Sequence, residues 1–62
     1  MCLSTVYTLH HEEKNLACKN IATVTEKDGK FYFTDIMGAT VVLSGTIEKI
    51  DLMDNYIYLR RE

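Results

Sequence analysis

A cysteine at the start of the chain could act as a metal ligand together with the chain's own amine. The sequence opens MCLSTVY, so Cys2 directly follows the initiator methionine. Aminopeptidases generally remove an initiator methionine when the second residue is small, which would leave a thiol and a free α-amine on one residue. These groups close a five-membered chelate ring on a metal, and a soft divalent ion displaces their protons near neutral pH.

One such residue supplies only two donors, so a complete site needs further ligands. A two-fold dimer that brings both N-termini to its axis would supply two nitrogens and two sulfurs, and the deprotonated amide of Leu3 could join them. Square-planar nitrogen and sulfur sites suit Ni(II) or Cu(II), and a tetrahedral site suits Zn(II). The competing interpretation, a small apolar residue at the start of a strand, is favoured when the position of Cys2 is considered alone.

Apart from Cys2, the chain has three histidine and cysteine residues that could bind a metal. His10 and His11 lie in the polar stretch HHEEKN. Adjacent residues on an extended chain point to opposite faces, so these histidines should chelate one ion poorly, and we expect a solvated loop. We expect Cys18, in or near a strand, to be a small buried apolar residue. None of the three receives an assigned role.

An aromatic and basic segment near the C-terminus offers a different chemistry. Tyr56 and Tyr58, with Arg60 and Arg61, could stack on RNA bases. However, the chain carries a net charge of −2, and its basic residues are otherwise scattered. Nucleic-acid binders usually present a basic face, so a solvated strand face is the favoured interpretation and nucleic-acid binding is not expected.

Length and composition limit the classes of function. With 62 residues the chain makes one domain, spanning residues 1–62, whose core is too small to be very stable without a metal or a partner subunit. Two cysteines are too few for a disulfide framework. We see no membrane-spanning run and no secretion signal, and therefore expect a cytoplasmic protein with reduced thiols. The chain shows no catalytic dyad, no phosphate-binding loop and little room for a pocket, so we expect no enzymatic activity.

The sequence pattern predicts that strands position Cys2, because apolar residues alternate along the chain and β-branched and aromatic residues are abundant. The clearest turn is Lys27-Asp28-Gly29-Lys30, since Asp-Gly suits the two positive-φ positions of a type I′ hairpin. Gly45 should interrupt a long strand as a bulge or bend. The predicted strands run from Cys2 to Leu9, Leu16 to Glu26, Phe31 to Ile36, Ala39 to Leu52 and Tyr56 to Arg60.

Five short antiparallel strands indicate an all-β fold, a small open antiparallel barrel of the SH3-like or Sm-like kind. The residues expected to face its core include Ile21, Val24, Ile57 and Leu59. His10–Asn15 is expected to form a loop between the first two strands. The outer strand edges would be natural sites for pairing with a second copy.

Two segments resemble the CooT family of small nickel-binding accessory proteins of carbon monoxide dehydrogenase. They are the opening MCLSTVY and the distal stretch FTDIMGATVVLSGTIEKIDLMDNYIYL. The resemblance implies a compact all-β homodimer that binds Ni(II) through Cys2 at the dimer interface. A metalloenzyme such as CO dehydrogenase is a candidate client, although a nickel role does not by itself fix the client. Family members have also been labelled RNA-binding proteins, which we weigh only as an analogy of fold.

The sequence therefore leads to one hypothesis and two alternatives. The hypothesis is a cytoplasmic, homodimeric nickel chaperone or store that uses Cys2 and Leu3, with Zn(II) or Cu(II) as other candidate ions. The first alternative is a small-barrel RNA-binding module, which would need no Cys2. The second is a structural subunit that covers the sheet edge of another protein.

Overall fold

The computed structural model describes residues 3–61, and these fold into one six-stranded sheet without helices. The all-β class is thereby confirmed. The order across the sheet is β4-β3-β2-β1-β6-β5, so β4 and β5 are its edge strands. The strands are β1 (Ser4–His10), β2 (Glu13–Lys27), β3 (Lys30–Asp35), β4 (Thr40–Ser44), β5 (Thr46–Asp51) and β6 (Tyr56–Arg60).

The Asp-Gly hairpin is confirmed. Asp28 and Gly29 have φ angles of 53° and 77°, the two positive values that a type I′ turn needs. Their turn joins β2 to β3, and the pair Lys27 and Lys30 closes it.

Three details of the predicted topology are wrong. The sheet has six strands rather than five, because the predicted strand from Ala39 to Leu52 divides at Gly45. The expected loop His10–Asn15 shrinks to a two-residue turn, because β1 and β2 continue pairing up to His10 and Glu13. The sheet is also not wholly antiparallel, since β1 and β6 pair in parallel.

The long strand β2 pairs first with β1 and then with β3, and it must bend between the two pairings. It pairs with β1 from Glu13 to Ile21 and with β3 from Ile21 to Lys27. Fifteen straight residues would span about 50 Å, whereas the longest dimension of the molecule is 31 Å. The bend falls beside Asn20, whose φ of 60° is left-handed, and the register shifts on both sides of this point.

A second bend at Gly45 joins the two edges of the sheet. Ser44 ends β4 and Thr46 begins β5, so one residue connects strands at opposite ends of the strand order. The sheet must therefore curl until its edges meet at this corner. Gly45 has a φ of 144°, and a Cβ there would collide with the carbonyl oxygen of Arg60. Because β4 and β5 do not pair with each other, the barrel stays open beyond this corner.

The core lies inside this curl and is small. Its buried apolar residues come from β1, β2, β3 and β6, which confirms the predicted positions Ile21, Ile57 and Leu59. Val24 pairs with the buried Phe33 and so faces the core side, but the prediction that it is a core residue is wrong, because 44% of its surface is exposed. Past Ile21 the strand β2 has no β1 partner, so less of the molecule packs over its side chains. The buried apolar set is Val6, Ile21, Phe33, Ile57 and Leu59.

Among the described residues, no helix is long and apolar enough to cross a membrane.

The corner at Gly45 gives a test of the fold. We expect Gly45→Ala to lower the free energy of unfolding by about 3 kcal/mol or more, because strain and collision with Arg60 add. Gly38→Ala is the matched control: φ is 93° but no atom lies within 4 Å of the new Cβ, so a loss of about 1 kcal/mol is expected. Urea unfolding at one protein concentration measures both, and equal losses would contradict the role of the corner.

Candidate functional site

The chain enters the barrel at the end where β1, β3 and β6 meet. Leu3, half-buried, comes directly before β1. The neighbouring strands fix this position, because Ser4 pairs with Ile21 and Thr5 donates a backbone hydrogen bond to the carbonyl of Asn55 at 3.0 Å. Cys2 lies outside the described residues. We call this end of the barrel the N-terminal end.

Two turns flank Leu3 at the N-terminal end, and an aspartate holds each in the same way. In the β3–β4 turn, Asp35 Oδ1 accepts hydrogen bonds from the backbone amides of Met37 and Ala39 at 2.9 and 3.0 Å. In the β5–β6 turn, Asp51 Oδ1 accepts them from Met53 at 3.0 Å and from the following residue at 2.7 Å. These backbone hydrogen bonds lower the pKa of Asp51. Both turns are therefore held in defined conformations.

These turns carry large apolar side chains that point into solvent. Met37 is 88% exposed and Met53 is 90% exposed. Isolated apolar residues on a surface are ordinary, but here four of them lie on two turns at one end of the barrel. We call this group the apolar rim, and its members are Ile36, Met37, Leu52 and Met53.

The opening between β4 and β5 exposes the inner face of the barrel next to the apolar rim. Val41 pairs with Phe33 and Ile50 pairs with Ile57, both of which are buried. Opposite residues of an antiparallel pair share a face, so Val41 and Ile50 point to the core side. They remain 37% and 54% exposed because the two edge strands separate beyond Gly45.

Cys18 packs against the core from β2 and is half-buried, as expected for a small apolar residue. Burial raises the pKa of its thiol, and the negative charge of Asp35 raises it further. A raised pKa disfavours the thiolate, which is the form that binds metals. Both effects make Cys18 a less ready metal ligand than a fully exposed thiol.

His10 and His11 lie at the opposite end of β1. Their predicted divergence onto opposite faces is wrong, because the ring centroids are 4.3 Å apart. His11 has a φ of 57° in the β1–β2 turn, so the chain is not extended there. No group of three or more His, Cys, Asp and Glu side chains suited to a metal ion occurs between residues 3 and 61.

Three tyrosines cluster on the outer face of β1 and β6. The Tyr7 and Tyr58 rings meet edge to face at 5.8 Å, and Tyr56 lies 4.7 Å from Tyr58. The Lys14 ammonium group stands 4.9 Å from the centroid of Tyr7, and that of Lys49 stands 5.4 Å from the centroid of Tyr56. Because the lysines and the neighbouring rings already contact these tyrosines, the cluster is a poor platform for stacking RNA bases.

The arginine expected beside these tyrosines is also engaged. Arg60 donates from Nε and Nη2 to the two carboxylate oxygens of Glu48, at 2.6 and 3.1 Å. Its remaining Nη1 group donates to the carbonyl of His11 at 3.1 Å. A shallow groove of about 500 Å³ runs beside this pair and is lined by Thr46, Ile47, Glu48, Arg60 and Arg61.

Comparison with known proteins gives one family and one structural likeness. A family model described as "CO dehydrogenase accessory protein CooT" matches residues 1–60. The fold is similar to the crystal structure of a protein from Carboxydothermus hydrogenoformans that is described as a CooT, with a TM-score of 0.89 and 20% sequence identity over 98% of each chain. No curated protein matches the chain. At this identity the structural likeness supports the barrel fold alone.

The environment of Cys18 predicts a thiol with a raised pKa that is alkylated slowly near neutral pH. On a Cys2→Ser background, Cys18 is the single thiol, and its pKa should exceed that of the same protein unfolded in urea. Asp35→Asn should lower the pKa of Cys18 part of the way, because the substitution removes a negative charge. The asparagine Oδ1 can still accept the backbone hydrogen bonds of the turn. The pH dependence of alkylation by iodoacetamide measures both values. A folded-state pKa at or below the unfolded value would contradict the burial of this thiol.

Proposed function

Because the chain belongs to the CooT family of CO dehydrogenase accessory proteins, we propose that it binds Ni(II) through Cys2 and Leu3 at a homodimer interface. It holds and delivers the ion rather than catalysing a reaction, and its client is an enzyme of the CO dehydrogenase class. Zn(II) and Cu(II) are the competing ions for the same ligands. The observation that carries the proposal is this family membership together with the Met-Cys start of the chain.

The ligand chemistry supports nickel. After removal of Met1, the amine and thiolate of Cys2 form one chelate ring, and the amide nitrogen of Leu3 can extend it. Nitrogen and sulfur donors in a plane suit Ni(II). A retained methionine would move the amine away and break the five-membered ring, so binding requires processing. Affinity should also rise with pH as the ligands lose protons.

The N-terminal end also supports a dimer. Leu3 precedes β1 at the same end of the barrel as the two turns that carry the apolar rim, and the opening between β4 and β5 leaves Val41 and Ile50 partly exposed. A second copy covering this end would remove apolar surface from water, the main favourable term in association. A two-fold axis through the same end brings the two chain starts together.

A site shared between two chains also suits delivery. Each chain contributes only part of the coordination sphere, so opening the dimer weakens the hold on the ion. A client that competes with the second copy for the apolar rim would therefore release nickel as it docks. Storage and transfer then differ only in whether such a client is present.

Nickel titration of the reduced protein tests the site. With removal of Met1 verified by intact mass, we expect thiolate-to-nickel charge-transfer bands that saturate at about one ion per two chains. Cys2→Ser should abolish the bands, and Cys18→Ser is the matched control that should keep them.

Two outcomes of this titration would contradict the proposal. Charge-transfer bands that persist in Cys2→Ser would mean that a sulfur other than that of Cys2 binds nickel. An affinity that does not change between pH 6 and pH 8 would argue against amine and thiolate ligands. Salt-sensitive RNA binding that is indifferent to Cys2 would favour the RNA-binding alternative.

The apolar rim gives a separate test of the dimer. Met53→Lys should raise the dimer dissociation constant by about tenfold or more, because a charge would be buried at the interface. Leu16→Lys is the matched control: Leu16 is 58% exposed, on β2, and pairs with Tyr7 on the outer face. Sedimentation of both variants, with and without Ni(II), measures the effect. Equal dissociation constants would place the interface away from the rim.

A further inference from the structure

The β1–β2 turn holds two imidazole rings in contact at the end of the barrel opposite Leu3. The ring centroids of His10 and His11 are 4.3 Å apart and their planes are tilted by 58°. His10 is the last residue of β1, and His11 is left-handed with a φ of 57°. Histidine tolerates this conformation better than most residues do. Seven strand residues place the pair about 20 Å along β1 from its start.

An ion pair elsewhere in the barrel holds this turn in position. Arg60 on β6 donates one hydrogen bond to the carbonyl of His11, at 3.1 Å. The same guanidinium is fixed by two hydrogen bonds to Glu48 on β5. A bidentate pair of this kind sets orientation as well as energy. The turn is thus fixed from a neighbouring strand, which limits the entropy that binding an ion would cost.

The geometry of the two rings suits a chelate. A divalent ion binds imidazole nitrogen at about 2.0–2.1 Å, which places two cis ligand atoms about 3 Å apart. Rings whose centroids are 4.3 Å apart can present their nitrogens at such a spacing. Both side chains are exposed, so an ion reaches them from solvent.

We propose that the β1–β2 turn is a second site for a divalent transition metal ion, coordinated by the imidazoles of His10 and His11. Imidazole suits Ni(II), Cu(II) and Zn(II). Within residues 3–61 no third side chain of a ligating type completes the set, so water fills the remaining positions and the ion exchanges readily. The site uses neither Cys2 nor the dimer interface and does not depend on the function proposed for them.

Ni(II) titration of the Cys2→Ser protein tests this site, because it removes the N-terminal thiol. We expect one ion per chain by calorimetry, with paramagnetic broadening of amide NMR signals centred on residues 10–13. His10→Gln and His11→Asn should each weaken binding by about tenfold or more, since one donor then has to be replaced by water. Asparagine is chosen at position 11 because it also accepts a left-handed backbone.

The matched control is Glu12→Gln, which alters the same turn without removing an imidazole and should change the affinity by less than about threefold. Amide spectra without metal verify that each variant keeps its fold. If the double histidine variant binds Ni(II) as tightly as its Cys2→Ser parent, or if broadening centres elsewhere, the proposal is overturned. If Cys2→Ser shows no charge-transfer bands but still binds Ni(II) at the β1–β2 turn, the N-terminal site and the imidazole site are two separate metal sites.

Discussion

The closure of the barrel at Gly45 is the constraint on which the rest of the structure depends. One residue must carry the chain from one edge of the sheet to the other, and its missing side chain makes room for the carbonyl of Arg60. The bend at Asn20 works with it, because β2 has to serve β1 and β3 within a molecule 31 Å long. The barrel therefore closes at one end and opens at the other.

The two ends consequently differ in their chemistry. At the closed end Gly45 joins the edge strands β4 and β5. Arg60, on β6, bonds to Glu48 on β5 and to the carbonyl of His11 in the β1–β2 turn. At the open end, inward-facing Val41 and Ile50 stay partly exposed, and the turns of the apolar rim lie at the same end as Leu3. A chain with so small a core gains from covering such surface with a partner. Metal binding and association at this end would then stabilise each other.

The sequence predicts features that depend on local chemistry and misses those that depend on distant pairing. The Asp28-Gly29 turn follows from two positions that need positive φ. The parallel pairing of β1 with β6 joins residues about fifty apart and leaves no local pattern. An extended chain at His10 and His11 would keep their rings apart, but His11 is left-handed, so the contact between the two imidazole rings is not predicted by the sequence. Cys2 is the opposite case, because the hypothesis that it binds a metal comes from its place in the sequence together with the family resemblance, and the residue lies outside the described structure.

Nickel K-edge X-ray absorption on the processed wild-type protein, loaded with one ion per two chains, shows whether the thiolate of Cys2 is bound to the metal. We expect a first shell in which sulfur scatters together with nitrogen, and a shell without sulfur in Cys2→Ser loaded in the same way. A wild-type shell of nitrogen and oxygen alone would contradict this expectation, because the thiolate of Cys2 would then have no part in holding the metal.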